Sequence, residues 1–386
     1  MTESADLAPI REAVRALCAD FPGEYWRALD RERAYPEKFV AALTKAGFLA
    51  ALIPEEYGGS GLTMTAAAAI MEEIQSSGCN GAACHAQMYT MGTLLRHGSA
   101  EQKKRYLPGI ARGELRLQAF GVTEPSSGTD TLSLRTTAVR DGNDGYVVNG
   151  QKIWTSRAEH SDLMLLLART TPREQIKKRT DGLSVFLVDI REVKGKGLTI
   201  RPIRTMMNHA TTEVFFENMR VPAENLIGVE GDGFRYILSG MNAERILIAA
   251  ECVGDAKWFI QKATSYAGER VVFGRPIGQN QGVQFPIARA YIDMRAAELM
   301  VREAASLYEA GKDCGAEANR AKHLAAEASW AAADMCVQTY GGFGFAEEFD
   351  IERKFRETRL YTVAPISTNL VLSYIAEHVL GLPRSY

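Results

Sequence analysis

The chain has 386 residues, 46% hydrophobic and 24% charged, an ordinary globular composition long enough for two or three domains. Its 45 basic and 47 acidic residues leave a net charge of −2, and no Lys/Arg run points to a nucleic-acid or membrane surface. No uninterrupted apolar stretch of roughly 18 residues and no charged-then-apolar N-terminus occurs, so neither a membrane span nor a secretory leader is expected. The six cysteines (Cys18, Cys79, Cys84, Cys252, Cys314, Cys336) form no CxxC pair and read as reduced thiols of a cytoplasmic protein.

Helical signals come first. Pro36 opens PEKFVAALTKAGFLA, whose apolar residues fall at helical spacing up to the break at Pro54. TMTAAAAIMEEIQ and Ala82 to Arg96 are Ala- and Met-rich, and Ser99 to Gln102 (SAEQ) is a capping-box pattern that predicts another helix. Near residue 119 the character changes. Asp141-Gly142 and Asn149-Gly150 read as turn signals between β-branched and aromatic runs, and SDLMLLLART, GLSVFLVDI, GLTIRPI and TTEVFFENMRVP read as further strands. Beyond GVEGDGF the pattern is helical again. No proline interrupts residues 287–364, so two long helices fit there with Gly311 and Gly315 as the break, and a last helix runs from about Ser367 to Val379. The expected organisation is an N-terminal α-helical domain (1–118), a middle β domain (119–230) and a C-terminal helical bundle (231–386).

No metal site is expected, because the six histidines show no HxxxH spacing. A GxSxG elbow and a P-loop are absent, and GGFGFA lacks the third glycine of a dinucleotide fingerprint. Three segments stand out instead. FGVTEPSSGTD (Phe120 to Asp130) offers hydroxyls and backbone N–H groups to a polar ligand, although by itself such a segment is more often a plain turn. QKIWTS (Gln151 to Ser156) gathers an aromatic and two hydroxyls at a strand end; by itself it reads as a core Trp. Around MNAER, the residues Ile237, Met241, Glu244, Ile248 and Cys252 share one helical face. Glu244 therefore sits in an apolar stripe with no basic partner at helix spacing, where a carboxyl resists ionisation and suits general-base chemistry. The alternative is a structural Glu paired with an arginine such as Arg245 or Arg270.

Taken together, VTEPSSGTD (122–130), NGQKIWTS (149–156), MNAERI (241–246), ERVVFGRPIGQNQGVQF (269–285) and CVQTYGGFGF (336–345) resemble the acyl-CoA dehydrogenase family along nearly the whole chain. The resemblance implies an α+β multidomain fold: an N-terminal helical domain, a middle β domain and a C-terminal four-helix bundle. It also implies FAD as cofactor, and usually a homotetramer. By the same resemblance, Phe120, Val122 and Thr123 line the flavin ring, Trp154 and Ser156 cover its other side, and Thr129 contacts the cofactor and the acyl-CoA. Arg270, Phe273 and Gln281 are similar to residues that reach a neighbouring subunit's FAD. Gln338, Thr339, Gly341 and Gly342 match the stretch that holds its ADP half, and Ser367 and Asn369 stand where relatives place cofactor contacts.

One departure is informative. Many members carry the catalytic Glu in a YEGT motif; here the matching stretch is VAPIS (Val363 to Ser367), with Pro365 at the Glu position. A subset, including isovaleryl-CoA and long-chain enzymes, places the base in an LxxER motif on an earlier helix, and Met241 to Arg245 fits that pattern. The resemblance thus implies Glu244 as the base that takes the α-proton, flavin N5 as hydride acceptor, and Asn242 and Arg245 as substrate contacts. Ala82, Ala83, Cys84, Met88 and Met91 approach the acyl pocket by analogy, and an electron-transfer flavoprotein is the implied electron acceptor. Two alternatives stay open at this level. One is the same fold with altered chemistry (a desulfinase, oxidase or monooxygenase); the other is a non-catalytic acyl-CoA-binding homologue.

Overall fold

The computed structural model describes residues 7–142 and 144–385. Local signals set several helix starts. Thr63 accepts a hydrogen bond from the Ala66 amide at the start of helix Met64–Ser76, and Ser99 and Gln102 exchange both bonds of the capping box before Ala100–Ala111. The long C-terminal helices are Gly233–Glu269, Gln281–Glu309 and Gly315–Tyr340. The second carries Pro286 as its sixth residue, in the second turn, where the ring removes the hydrogen bond to the Gly282 carbonyl. Helix Thr368–Tyr374 continues as a π-turn to Val379.

The chain forms two compact units. One comprises residues 33–62 and 82–241; the other comprises residues up to 32, 63–81 and 242 onward. In the first, eight strands form one sheet: β1 (Leu117–Gly121), β2 (Thr137–Asp141), β3 (Gly145–Ser156), β4 (Leu163–Arg169), β5 (Leu183–Asp189), β6 (Leu198–Pro202), β7 (Thr211–Pro222) and β8 (Leu226–Ile227). Their order is β6-β7-β3-β2-β4-β5-β8, with β1 parallel to β4. Strands β4 and β5 are buried on both faces. Leu163, Leu165 and Leu167 pack with Met91, Leu94, Leu107 and Ile110 of the helices, while Met164, Leu166 and Phe186 pack with Tyr146, Val148 and Phe216. That two-sided burial explains the unbroken apolar runs in their sequences.

Only one of the two expected turns in this region forms. Asp141-Gly142 belongs to the β2–β3 hairpin, where Asp141 pairs with Gly145. Asn149-Gly150 instead lies inside β3, where the pairing with β7 shifts register between Val148 and Gly150. Gly150 adopts φ +145°, and a Cβ there would lie 2.7 Å from the Thr136 backbone. The glycine serves a bulge and a close backbone approach, not a turn.

The second unit is helical with a polar interior. Lys354 and Asp255 form an ion pair in which both side chains are fully buried. Lys354 also donates to Gln75 (2.8 Å) and to the Cys79 carbonyl (3.2 Å). Gln75 donates to Glu251 and Tyr361, and the Tyr361 hydroxyl donates to Glu251 at 2.9 Å. Helix Met64–Ser76 approaches residues 242–269 closely at Gly254, where a Cβ would lie 2.3 Å from the Glu72 carbonyl oxygen. All six cysteines are buried and none forms a disulfide.

Candidate functional site

Within the sheet unit, the segments Phe120–Asp130 and Gln151–Ser156 are held against each other. The Ile153 amide donates to the Thr123 carbonyl at 2.9 Å. The Lys152 ammonium donates to the Val122 carbonyl (3.0 Å) and pairs with Glu124 (2.8 Å). Glu124 in turn accepts from the amides of Arg135 (2.6 Å) and Thr136 (2.9 Å). Burial pushes the Lys152 amine down to about 8 despite the pull of Glu124. At Glu124, burial works to raise the carboxyl, and Lys152 with those donors outweighs it, holding the group below the ordinary carboxylate range. Neither clamp residue was singled out from sequence. The available signal was alternation along β3, in which Tyr146, Val148 and Lys152 all face inward.

Strict alternation would also turn Trp154 inward, and this is where the core reading of QKIWTS fails. The β3–β7 register shifts again between Lys152 and Thr155, and Trp154 sits at φ +60°. Its ring is 56% exposed while Thr155 behind it is buried. Phe120, on β1, is half-buried and meets Tyr89 edge-on with ring centres 5.4 Å apart. Val122, Thr123 and Ser156 are half-buried, and Thr129 is exposed. An uncovered indole and a hydroxyl-bearing loop thus share one clamped edge, which suits a planar, hydrogen-bonding ring.

In the helical unit, Glu244 is 7% exposed and Arg245 is buried beside it. The Arg245 guanidinium donates to Asn242 Oδ1 at 2.9 Å. Burial holds it below the ordinary arginine range, against the pull of Glu244. Arg270 is no partner of Glu244 within the chain. It lies just beyond the end of the same helix, about 39 Å away along the axis at 1.5 Å per residue, with its guanidinium 5.9 Å from the Phe343 ring centre.

Lys322, also missed from sequence, is buried and donates to the Ile366 carbonyl at 2.8 Å. This ties the Val363–Ser367 turn to helix Gly315–Tyr340. Ser367 caps helix Thr368–Tyr374 by accepting from Leu370, and Asn369 is exposed.

Phe273 and Gly274 occupy a two-residue hairpin turn at φ +51° and +77° between Val271–Val272 and Arg275–Pro276. The Phe273 ring is fully exposed, and Gln281 and Gln338 are exposed. The Thr339 hydroxyl donates to the Met335 carbonyl, which leaves it only acceptor capacity. Gly341 adopts φ +58°, and a Cβ at Gly341 or Gly342 would project into open space. Backbone there is open to close approach by a phosphate. In the sheet unit the exposed indole suits a flat, hydrogen-bonding ring, and in the helical unit the bare hairpin Phe and the open glycines suit a phosphate-bearing group.

Three domain families match the chain: the acyl-CoA dehydrogenase N-terminal domain over residues 4–114, the middle domain over 119–219 and the C-terminal domain over 231–380. An acyl-CoA dehydrogenase of Mycobacterium tuberculosis is 36% identical over 387 aligned residues, covering 100% of this chain and 98% of that protein. The structure of a glutaryl-coenzyme A dehydrogenase in complex with glutaryl-CoA superimposes with a TM-score of 0.92 at 30% identity, over 100% of this chain and 98% of that one. The prolyl acyl carrier protein oxidase AnaB gives 0.91 at 25% identity, over 99% and 100%. The chain belongs to the acyl-CoA dehydrogenase family of oxidoreductases, with its helical, β and helical domain order, and FAD is the cofactor of that family. Among the described residues no helix is long and apolar enough to cross a membrane.

Proposed function

We propose that this protein converts an acyl-CoA thioester to its trans-2-enoyl-CoA, with Glu244 as the base. The observation that carries the reading is a carboxylate 7% exposed on a helix in a chain whose other family base position is Pro365. Glu244 accepts the α-proton on its carboxylate oxygen, a hydride leaves the β-carbon, and the α–β double bond forms. FAD, when bound, supplies the hydride acceptor. Phe120, Val122, Thr123, Trp154 and Ser156 hold the flavin ring. Thr129, Asn242 and Arg245 hold the thioester, and burial around Glu244 excludes water.

In a homotetramer, Arg270, Phe273, Gln281, Gln338, Thr339, Gly341 and Gly342 serve the ADP half of a neighbour's FAD, with Ser367 and Asn369 as further contacts. Arginine pairing with pyrophosphate and glycine backbone approaching it are the physical basis. Electrons then pass to an electron-transfer flavoprotein. The test is an anaerobic titration of the yellow holoenzyme with straight and branched acyl-CoAs, following flavin absorbance. Bleaching by at least one is expected. Flavin that stays oxidised with every member would overturn the dehydrogenase reading and favour altered chemistry.

A further inference from the structure

Two of the six cysteines face each other. Cys18 lies in the last turn of helix Ala8–Ala19, and Cys79 follows helix Met64–Ser76. They are 61 positions apart in the chain and both belong to the helical unit. The Cys18 thiol is hydrogen-bonded to the Cys79 sulfur, and the Cys79 thiol points at the Cys18 and Phe21 carbonyl oxygens, each 3.8 Å away. Cys18 is 3% exposed and Cys79 0%. Their cover is thin, because Ala19, Asp20 and Ser77 beside them are exposed and Gly78 and Asn80 half-buried.

The surroundings treat the two sulfurs differently. The Lys354 ammonium donates to the Cys79 carbonyl at 3.2 Å, and the Arg353 guanidinium donates to the Gly78 carbonyl at 3.1 Å. Two buried cations therefore stand behind Cys79. The hydrogen bond from Cys18, with the Trp26 indole and these cations, outweighs burial and holds the Cys79 thiol below the ordinary thiol range. That same bond, together with burial, pushes the Cys18 thiol up. One sulfur is disposed to carry charge and the other to keep its proton, the division of labour of a redox-active pair. Cys252 and Cys336 offer the contrast: burial pushes both thiols up, Cys336 to about 12.

We infer that Cys18 and Cys79 form an oxidisable dithiol, with Cys79 as the attacking sulfur, Cys18 as the resolving one and a small peroxide as the oxidant. The Cys79 thiolate attacks one oxygen of hydrogen peroxide and the O–O bond breaks. Cys79 becomes a sulfenic acid, and the released hydroxide takes up the proton that the thiol gave, leaving as water. The Cys18 sulfur then attacks the sulfenic sulfur. The S–S bond forms, and the departing hydroxide leaves as a second water with the Cys18 proton. Two electrons pass from the two sulfurs to one peroxide. The disulfide ties the last turn of helix Ala8–Ala19 to the segment in which the chain leaves the helical unit after Gly81.

The experiment exposes the folded, FAD-loaded protein to a modest excess of hydrogen peroxide, then alkylates, digests and weighs the peptides. Wild type should lose two free thiols and yield a Cys18–Cys79 linked peptide that dithiothreitol reverses. Cys252 and Cys336 should react at least about tenfold more slowly. Cys18→Ala should stop at a sulfenic acid on Cys79, trapped by dimedone, and Cys79→Ala should leave Cys18 unmodified. No linked peptide from the wild type overturns the pair, and so does oxidation that reaches Cys252 and Cys336 as fast. Dimedone on Cys18 in Cys79→Ala, with none on Cys79 in Cys18→Ala, overturns the assignment of the attacking sulfur. The wild-type peptide map decides the pair even where a variant does not fold.

Discussion

Replacing Lys152 by Met tests what holds the Phe120–Asp130 and Gln151–Ser156 segments together. The ammonium and the Glu124 carboxylate lie 2.8 Å apart with both side chains buried. At an effective dielectric near 20 that spacing is worth about 6 kcal/mol of attraction, most of it offset by stripping water from two ions. In Lys152→Met, Glu124 keeps its two amide donors, loses its counter-ion and stays buried, and the Val122 carbonyl loses its donor. Removing one member of a buried pair costs about 3–5 kcal/mol. Lys152→Met/Glu124→Gln restores neutrality and should cost less than the sum of the single changes by up to about 3 kcal/mol. Urea unfolding with FAD in excess, followed by circular dichroism, measures the cycle. The affinity for FAD, read separately from flavin fluorescence, should fall in Lys152→Met because Thr123 and Trp154 are no longer held together. A single variant within about 1 kcal/mol of wild type, or strict additivity, would refute the clamp.

Two further outcomes come from the helical unit. Gly254→Ala places a methyl 2.3 Å from the Glu72 carbonyl oxygen. Despite alanine's better helix propensity it should lose about 1–3 kcal/mol by overpacking, and a stabilised variant in thermal unfolding would refute the close approach. Asp255 has its carboxyl pushed up to about 6 by burial, against the pull of Lys354, from an ordinary value of 3.8. Between those values the folded chain holds a proton that the unfolded chain has released, so this group favours folding most at low pH and its contribution fades as pH rises through 6. Relative to Asp255→Asn, wild type should therefore lose up to about 3 kcal/mol as pH rises across that window. Parallel stability curves for the two proteins would refute it.

What could be read from sequence was local or repetitive. The Ser99 capping box joins neighbours three residues apart and forms as expected. The apolar runs of β4 and β5 announce strands because both faces are buried. Gly150 and Trp154 were not legible for one shared reason. Each sits at a register shift between β3 and β7, and a shift depends on a partner strand about 60 residues away in the chain. The Lys152–Glu124 clamp and the Lys322 tie to Ile366 join residues 28 and 44 positions apart, beyond any periodicity.

The central claim is that Glu244 removes the α-proton. Glu244→Gln keeps the shape of the side chain and removes its basicity. The variant should bind FAD and acyl-CoA as the wild type does, yet its flavin should stay oxidised under anaerobic acyl-CoA, with single-turnover reduction slowed by at least about a thousandfold, toward the upper part of the range for a lost general base. Flavin reduction at the wild-type rate in Glu244→Gln would contradict the account, because the proton would then be leaving by another group.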